Sequence, residues 1–231
     1  MPREDRRAAA LATAVATLAK LVRPGATVFY RIGADQQPSG FELFGLAETM
    51  HRTWLQRYLV LDPMHPSRYV RQQGNVLTLA GELPEALRGE SVYWRRFLQP
   101  HRVVDVMEVL LRDEGRAIAA FSLLRFAPDA PFAQPEIERA SALQPLLELA
   151  LAPALRAESA LHRATGGNEA DTPRLTHREE QIAHLVRDGL SNKAIARDLE
   201  LSQPTVKTHL LRMFRKLGVS SRTELIGALF L

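Results

Sequence analysis

LTHREEQIAHLVRDGLSNKAIARDLELSQPTVKTHLLRMFRKLGVSSRTELIGALF, residues 175–230, divides itself into four short helices. Thr176 and Glu179 make a capping box ahead of Ile182, Leu185 and Val186, which share one face of a first helix. Gly189 closes that helix in the left-handed conformation its C-terminal end wants. Ser191 caps a second helix that turns Ile195, Ala196 and Leu199 inward. Ser202 caps a third, with Pro204 in the first turn, where a missing N–H costs little. Gly218 ends the third, and Ser221 opens a fourth around Leu225, Ile226 and Leu229.

The third helix, residues 203–217, has two unlike faces. At ~100° per residue, Val206, Leu210, Met213, Phe214 and Leu217 fall together and pack inward. The opposite face carries Pro204, Thr208, Leu211, Arg212 and Arg215, with Lys207 and His209 at its margins. Such a helix, after a short helix and a tight turn, is either the recognition helix of a helix-turn-helix or the solvated basic face of an ordinary four-helix module. In the first case its N-terminal N–H groups and its cations suit phosphate. Thr208 and Leu211 can then touch base edges, the thymine methyl included.

The runs LT-x-REE, GLSNK-x-IA, LSQPTVKTHL and KLGVSSRTEL resemble the C-terminal domain of LuxR-type transcription factors, over 57 of the 231 residues. The resemblance implies an all-α, four-helix domain that binds double-stranded DNA as a dimer. Helix 203–217 would enter the major groove and helix 222–230 would supply dimer contacts. Carried over by position, Lys207, Thr208 and Leu211 face bases, while Asn192, Lys193, Thr205, Arg212 and Arg215 position phosphates.

Charge supports this reading. The chain carries a net +4, and residues 174–231 hold ten Lys and Arg against six acids, so the rest of the chain is balanced. Excess positive charge confined to one segment is what a phosphate-binding surface requires. With 231 residues, 46% of them hydrophobic, the chain is long enough for two domains with real cores. It has no cysteine, hence no disulfide framework and no thiolate metal site. The richest apolar run, 146–155, is interrupted by Glu148 and Pro153 and falls short of a membrane span. Residues 1–22 read as a helix rather than a signal peptide, since Glu4 and Asp5 sit among the arginines. The expected compartment is the cytoplasm, with no membrane partner.

Residues 1–163 read as one α+β domain. A helix over 4–22 stops at Pro24-Gly25, and strands follow at 26–33, 40–46, 75–79, 103–111 and 116–126, with short helices inserted between the second and fourth. The expected fold is an antiparallel sheet between helical layers, and it resembles the GAF and PAS class of small-molecule sensor domains. The segments 93–125 and 143–156 carry that resemblance. The closing helix contains Pro145 and Pro153, which predict kinks or breaks. Its leucines are too many for one core face, so it either packs on the sheet alone or also meets its twin in a dimer. Residues 164–174, ATGGNEADTPR, are a flexible linker of ~15–20 Å reach, and 175–231 form the DNA-binding domain.

LuxR-type factors that bind acyl-homoserine lactones place two tryptophans, a tyrosine and an Asp-Pro pair around the ligand. This chain offers Trp54, Tyr58, Asp62-Pro63 and Trp94 in that order. It departs from the pattern twice. Tyr58 and Asp62 are too close together, and RVVDVMEV (102–109) has no glycine where that family is glycine-rich. The aromatics are therefore either core residues or a ligand clamp, and Asp62 either binds a ligand amide or caps a turn. The single lysine of 1–173, Lys20, and the lack of paired acids ending a strand argue against a phosphorelay receiver. There is no P-loop, no HExxH, no metal-ligand spacing among the histidines and no legible catalytic acid–base set. The sequence thus predicts a homodimeric DNA-binding transcriptional regulator, not an enzyme, without cofactor or metal, controlled by a small-molecule effector. The alternatives are an N-terminal domain that only dimerises or binds a partner protein, and an enzyme with a DNA-targeting module.

Overall fold

The computed structural model describes residues 3–71, 74–164 and 175–230. Helix α1 (Arg3–Leu21) leads into a hairpin of β1 (Ala26–Ile32) and β2 (Pro38–Phe44). An irregular helical stretch follows: α2 (Glu48–Thr53), a π-helical turn (Trp54–Tyr58) and two 3-10 turns (Leu59–Leu61, Pro66–Arg71). Then come β3 (Val76–Thr78), the short helices α3 (Leu79–Glu82) and α4 (Glu85–Arg88), and a second π-helical turn (Trp94–Leu98). The long strands β4 (Val103–Asp113) and β5 (Arg116–Phe126) precede α5 (Gln134–Ala164). The five strands form one sheet in the order β2-β1-β5-β4-β3, antiparallel at every pairing.

Because side chains alternate across a strand, the sheet feeds two separate cores. Phe29, Met107, Val109 and Phe121 face α1 and α5, where they meet Leu11, Leu18, Leu147 and Leu151. Val28, Tyr30, Val106, Leu110 and Leu124 face the irregular helical stretch on the other side. The layers are pinned at one end by the buried Arg125, which donates to the Val22 carbonyl at 2.6 Å and to Glu136 at 2.7 Å. The antiparallel sheet between helical layers is the α+β architecture expected.

Helix α5 continues through Pro145 and Pro153, so neither proline breaks it. Both prolines are exposed, so the carbonyls they leave without a helical partner face water rather than the core. Leu147, Leu151 and Leu155 are buried, whereas Leu146 and Leu149 stand 62% and 75% exposed. Of the linker expected over 164–174, only Ala164 is described, and it closes α5.

Four helices complete the chain: α6 (His177–Arg187), α7 (Asn192–Asp198), α8 (Gln203–Leu217) and α9 (Arg222–Phe230). Their caps are those the sequence predicts. Thr176 and Glu179 form a reciprocal capping box, Ser191 and Ser202 accept from Ala194 and Thr205 N–H, and Gly218 ends α8 at φ 66°. Among the described residues no helix is long and apolar enough to cross a membrane.

Candidate functional site

Two surfaces carry chemistry, one facing out and one facing in. On α8, Val206, Leu210 and Met213 are buried, so the sequence between them is turned to solvent. Lys207, Thr208, Arg212 and Arg215 are exposed, and Leu211 is 50% exposed. The Thr208 hydroxyl donates to the Pro204 carbonyl at 3.0 Å, so its methyl is what remains for contact. Thr205 is held against the Ser202 cap at 2.8 Å, beside the open N-terminal N–H groups. Lys193 is exposed on α7, and Asn192 is half-buried, 3.4 Å from the Arg222 guanidinium. All eight residues expected to meet DNA lie on α7 and α8, with the basic and apolar members outward.

The inward surface is a cavity of about 60 Å³ between the sheet and the segment 41–98. The register brings Val28, Ser122 and Glu108 side by side across β1, β5 and β4, on the face that forms its floor. Tyr30, Phe41, His51, Trp54, Tyr93 and Phe97 supply aromatic walls. Phe41 meets Trp54 edge-on at 5.7 Å, and His51 stacks on Trp54 at 5.6 Å.

Two carboxyl groups open into this apolar space. Asp62, 7% exposed, accepts from Met64 N–H through Oδ1 and from Trp54 Nε1 and Tyr93 Oη through Oδ2, each at 2.8 Å. Burial nevertheless pushes its pKa up, against those three hydrogen bonds. Glu108, 4% exposed, accepts from Tyr30 Oη at 3.1 Å and is hydrogen-bonded to Ser122. Burial raises its pKa to about 8, with a further contribution from the Asp62 charge, so the protonated form prevails at neutral pH. His51, half-buried, is pushed the other way by burial and is a neutral imidazole at neutral pH. Among the described residues no cluster of His, Asp and Glu is arranged to hold a metal ion.

Residues 173–229 match the family described as bacterial regulatory proteins, luxR family. The monoamine regulon transcriptional regulator of Klebsiella aerogenes is 35% identical over 223 residues, 96% of this chain and 91% of that protein. The chain belongs to the luxR family of bacterial regulatory proteins. The nitrate/nitrite response regulator NarL of Escherichia coli is 41% identical over 88 residues, 38% of this chain and 40% of that protein. Among solved structures, the VqsR LBD domain of Pseudomonas aeruginosa is 17% identical with a TM-score of 0.50. It covers 64% of this chain and 86% of that one, and shows that the N-terminal fold is shared.

In this luxR-family regulator only two of the four expected ligand residues reach the cavity. Trp54 and Asp62 line it. Tyr58 does not: 54–58 is a π-helical turn, whose wider winding rotates Tyr58 away from Trp54 to stack on Phe97 at 5.0 Å. Trp94 does not either: its neighbour Tyr93, the residue that caps the second π-helical turn, is the one that lines the cavity. The Trp94 ring lies instead beneath the Arg88 guanidinium at 4.5 Å. Sequence reasoning missed Glu108, Tyr30, Phe41, His51 and Tyr93. Glu108 carried a signal nonetheless: a lone glutamate at an inward alternate position of VVDVMEVLL.

The cavity wall is also the seat of the DNA-binding half. From the turn 54–61, the Gln56 carbonyl accepts from Arg187 at 3.5 Å, and the Arg57 backbone meets the His184 ring. From the segment 90–96, Val92 N–H donates to Asp198 Oδ1 at 3.0 Å, and Arg96 lies 3.9 Å from Asp188. Trp54 and Tyr93, bonded to Asp62 within, therefore sit on the two segments that α6 and α7 touch from outside. Among the described residues these docking contacts come from α6, α7 and the residue after α6, not from the outward face of α8.

Proposed function

We propose that the protein is a homodimeric regulator that binds operator DNA through α7 and α8, and that a small molecule in the Asp62 cavity sets its DNA affinity. The observation that carries this reading is the shared wall. A ligand that shifts Trp54 or Tyr93 shifts the turns on which α6 and α7 rest, and so the placing of α8. Such a ligand acts only by binding one arrangement of the two halves better than the other. Lys207, Thr208 and Leu211 read bases in this scheme, and Asn192, Lys193, Thr205, Arg212 and Arg215 hold phosphates. Exposed Leu146 and Leu149 on α5 supply an apolar stripe for a twin subunit. The Klebsiella relative, named as a regulator of a regulon, supports a transcriptional rather than an enzymatic role and a cytoplasmic site of action.

The test begins with DNA fragments selected from genomic sequence by the full-length protein. Lys207→Ala should then weaken binding to the selected site by ~1–3 kcal/mol at fixed salt, without a change in melting temperature. Unchanged affinity would remove Lys207 from the base-reading set. A second reading is favoured by the small cavity and by Asp62 already holding three donors. In it the N-terminal half serves only for dimerisation or partner binding, and no small molecule alters DNA affinity.

A further inference from the structure

We infer that the cavity selects a small organic cation, a protonated amine on an apolar body, seated between the Glu108 and Asp62 carboxylates and the aromatic walls. The inference rests on the reading of this cavity as the effector site and adds the class of the effector.

The charge inventory of the cavity is one-sided. Its lining holds two carboxyl groups and neither lysine nor arginine. The remaining ionisable nitrogen, on His51, is kept neutral by burial. An anion placed there would face both acids across an apolar space.

Glu108 also differs from the other buried acids of the molecule in having no structural task. Asp105 accepts the backbone N–H groups of Val106 and Phe132. Glu179 holds Lys216 at 2.7 Å and caps α6. Among the described residues Glu108 is hydrogen-bonded to the hydroxyls of Tyr30 and Ser122, both lining the cavity themselves. Among the described residues no cationic side chain pairs with it. A carboxyl group buried on an inner strand without a cation costs the fold, and apolar residues would serve better there. A bound ammonium would supply the missing partner and draw Glu108 into its ionised form.

The walls point the same way. The ring faces of Tyr30, Phe41, Trp54 and Tyr93 attract cations as well as apolar groups. A cavity of about 60 Å³ is roughly twice the volume share of one water, so a short amine fits it as it stands and a longer one must part the walls.

The experiment titrates the full-length protein by calorimetry and by thermal shift with a panel of primary amines, including phenethylamine and hexylamine. Their neutral counterparts phenethyl alcohol and hexanol, and anionic phenylacetate, are run in parallel. At least one amine should bind, more tightly than its alcohol by about tenfold or more, with phenylacetate weakest. Glu108→Gln keeps the size and hydrogen-bonding capacity but removes the charge. It should cut the preference for amine over alcohol severalfold, since one of the two carboxylates is gone, with thermal unfolding confirming that the variant is folded. Alcohols binding as well as amines, an amine preference undiminished by Glu108→Gln, or no binding by any amine at millimolar concentration would each overturn the inference. DNA affinity measured with each bound compound separates the two readings. An alcohol that binds and changes DNA affinity upholds the effector site and removes the cation. An amine that binds yet leaves DNA affinity unchanged upholds the cation site and removes the control.

Discussion

The outer face of α8 and the floor of the sensor cavity use charge in opposite ways. On α8, Lys207, Arg212 and Arg215 stand in water, where a charge costs little and its partner arrives from outside. In the cavity, Glu108 and Asp62 are held out of water, where an uncompensated charge is expensive enough to shift their protonation. One surface is cheap to build and waits for DNA. The other is maintained against the stability of the fold, so it must be kept for something other than packing. Substitutions in the two places should therefore differ in kind: those on α8 move DNA affinity and not stability, those in the cavity move both stability and response.

The largest expected effect is at Glu108. Its carboxyl group takes up protons more readily in the folded chain, at about 8, than in the unfolded chain, at 4.5. Between those values the folded state holds the extra proton, so wild-type stability falls as pH rises, by about 1.4 kcal/mol per unit. The loss levels off above the upper value. The groups facing Glu108 are Tyr30, Ser122, Asp62 and Tyr93. None of them is a cation able to offset it. Glu108→Gln does not titrate. Its advantage over wild type in denaturant unfolding should therefore be near zero at pH 4.5 and grow to the order of 4 kcal/mol by pH 8. Parallel pH profiles for the two proteins would show that Glu108 is relieved by a partner the cavity already contains.

Asp62→Ala should come next. It leaves Trp54 Nε1, Tyr93 Oη and Met64 N–H without their acceptor. Unpaired buried donors cost ~1–3 kcal/mol each, though water entering the enlarged cavity offsets part of this, so a net loss of roughly 3 kcal/mol is expected. Thermal unfolding measures it, and Lys207→Ala is the control that should not move. If both variants lost the same stability, the distinction between an exposed and a buried use of charge would fail.

How far each region could be read in advance follows from the same physics. The DNA-binding half is built from local rules: capping residues at fixed offsets, glycines at helix ends, apolar residues every three or four positions. Each rule acts within one turn or two, so the sequence states it outright, down to Ser202, Gly218 and the outward set on α8. The five strands were legible from alternation, as was the α+β layering. The cavity was not, because it is assembled from β1, β2, β4, β5 and two irregular turns, and register across strands is a tertiary fact. Even there the misses have local causes. Ordinary helical winding places Tyr58 beside Trp54, and the π-helical turn undoes it. Of Tyr93 and Trp94, a sequence cannot say which points inward until the turn's rotation is known. Glu108 was visible as an acid among valines and leucines, but its neighbours Ser122 and Tyr30 came from strands paired far along the chain.

The smallest effect tests whether the two regions communicate at all. Asp198 sits at the end of α7 and accepts the Val92 N–H, one residue before the tyrosine that binds Asp62. Burial raises the Asp198 pKa, against that hydrogen bond and the charges of Arg95 and Arg197, so the contact is partly shielded from water. The exposed pair Arg197–Glu90, at 3.5 Å, adds little by comparison. Asp198→Ala removes about 1 kcal/mol of docking by leaving the Val92 amide unpaired. Hydrogen exchange at that amide should quicken, while affinity for DNA in the absence of ligand stays within about twofold, since α8 is untouched. What should shrink is the difference in DNA affinity between ligand-free and ligand-bound protein, because α7 no longer follows the turn that carries Tyr93. If that difference were unaltered, the signal would have to pass through α6 and its contacts with 56–57 alone, and the shared wall would be reduced to one of its two sides.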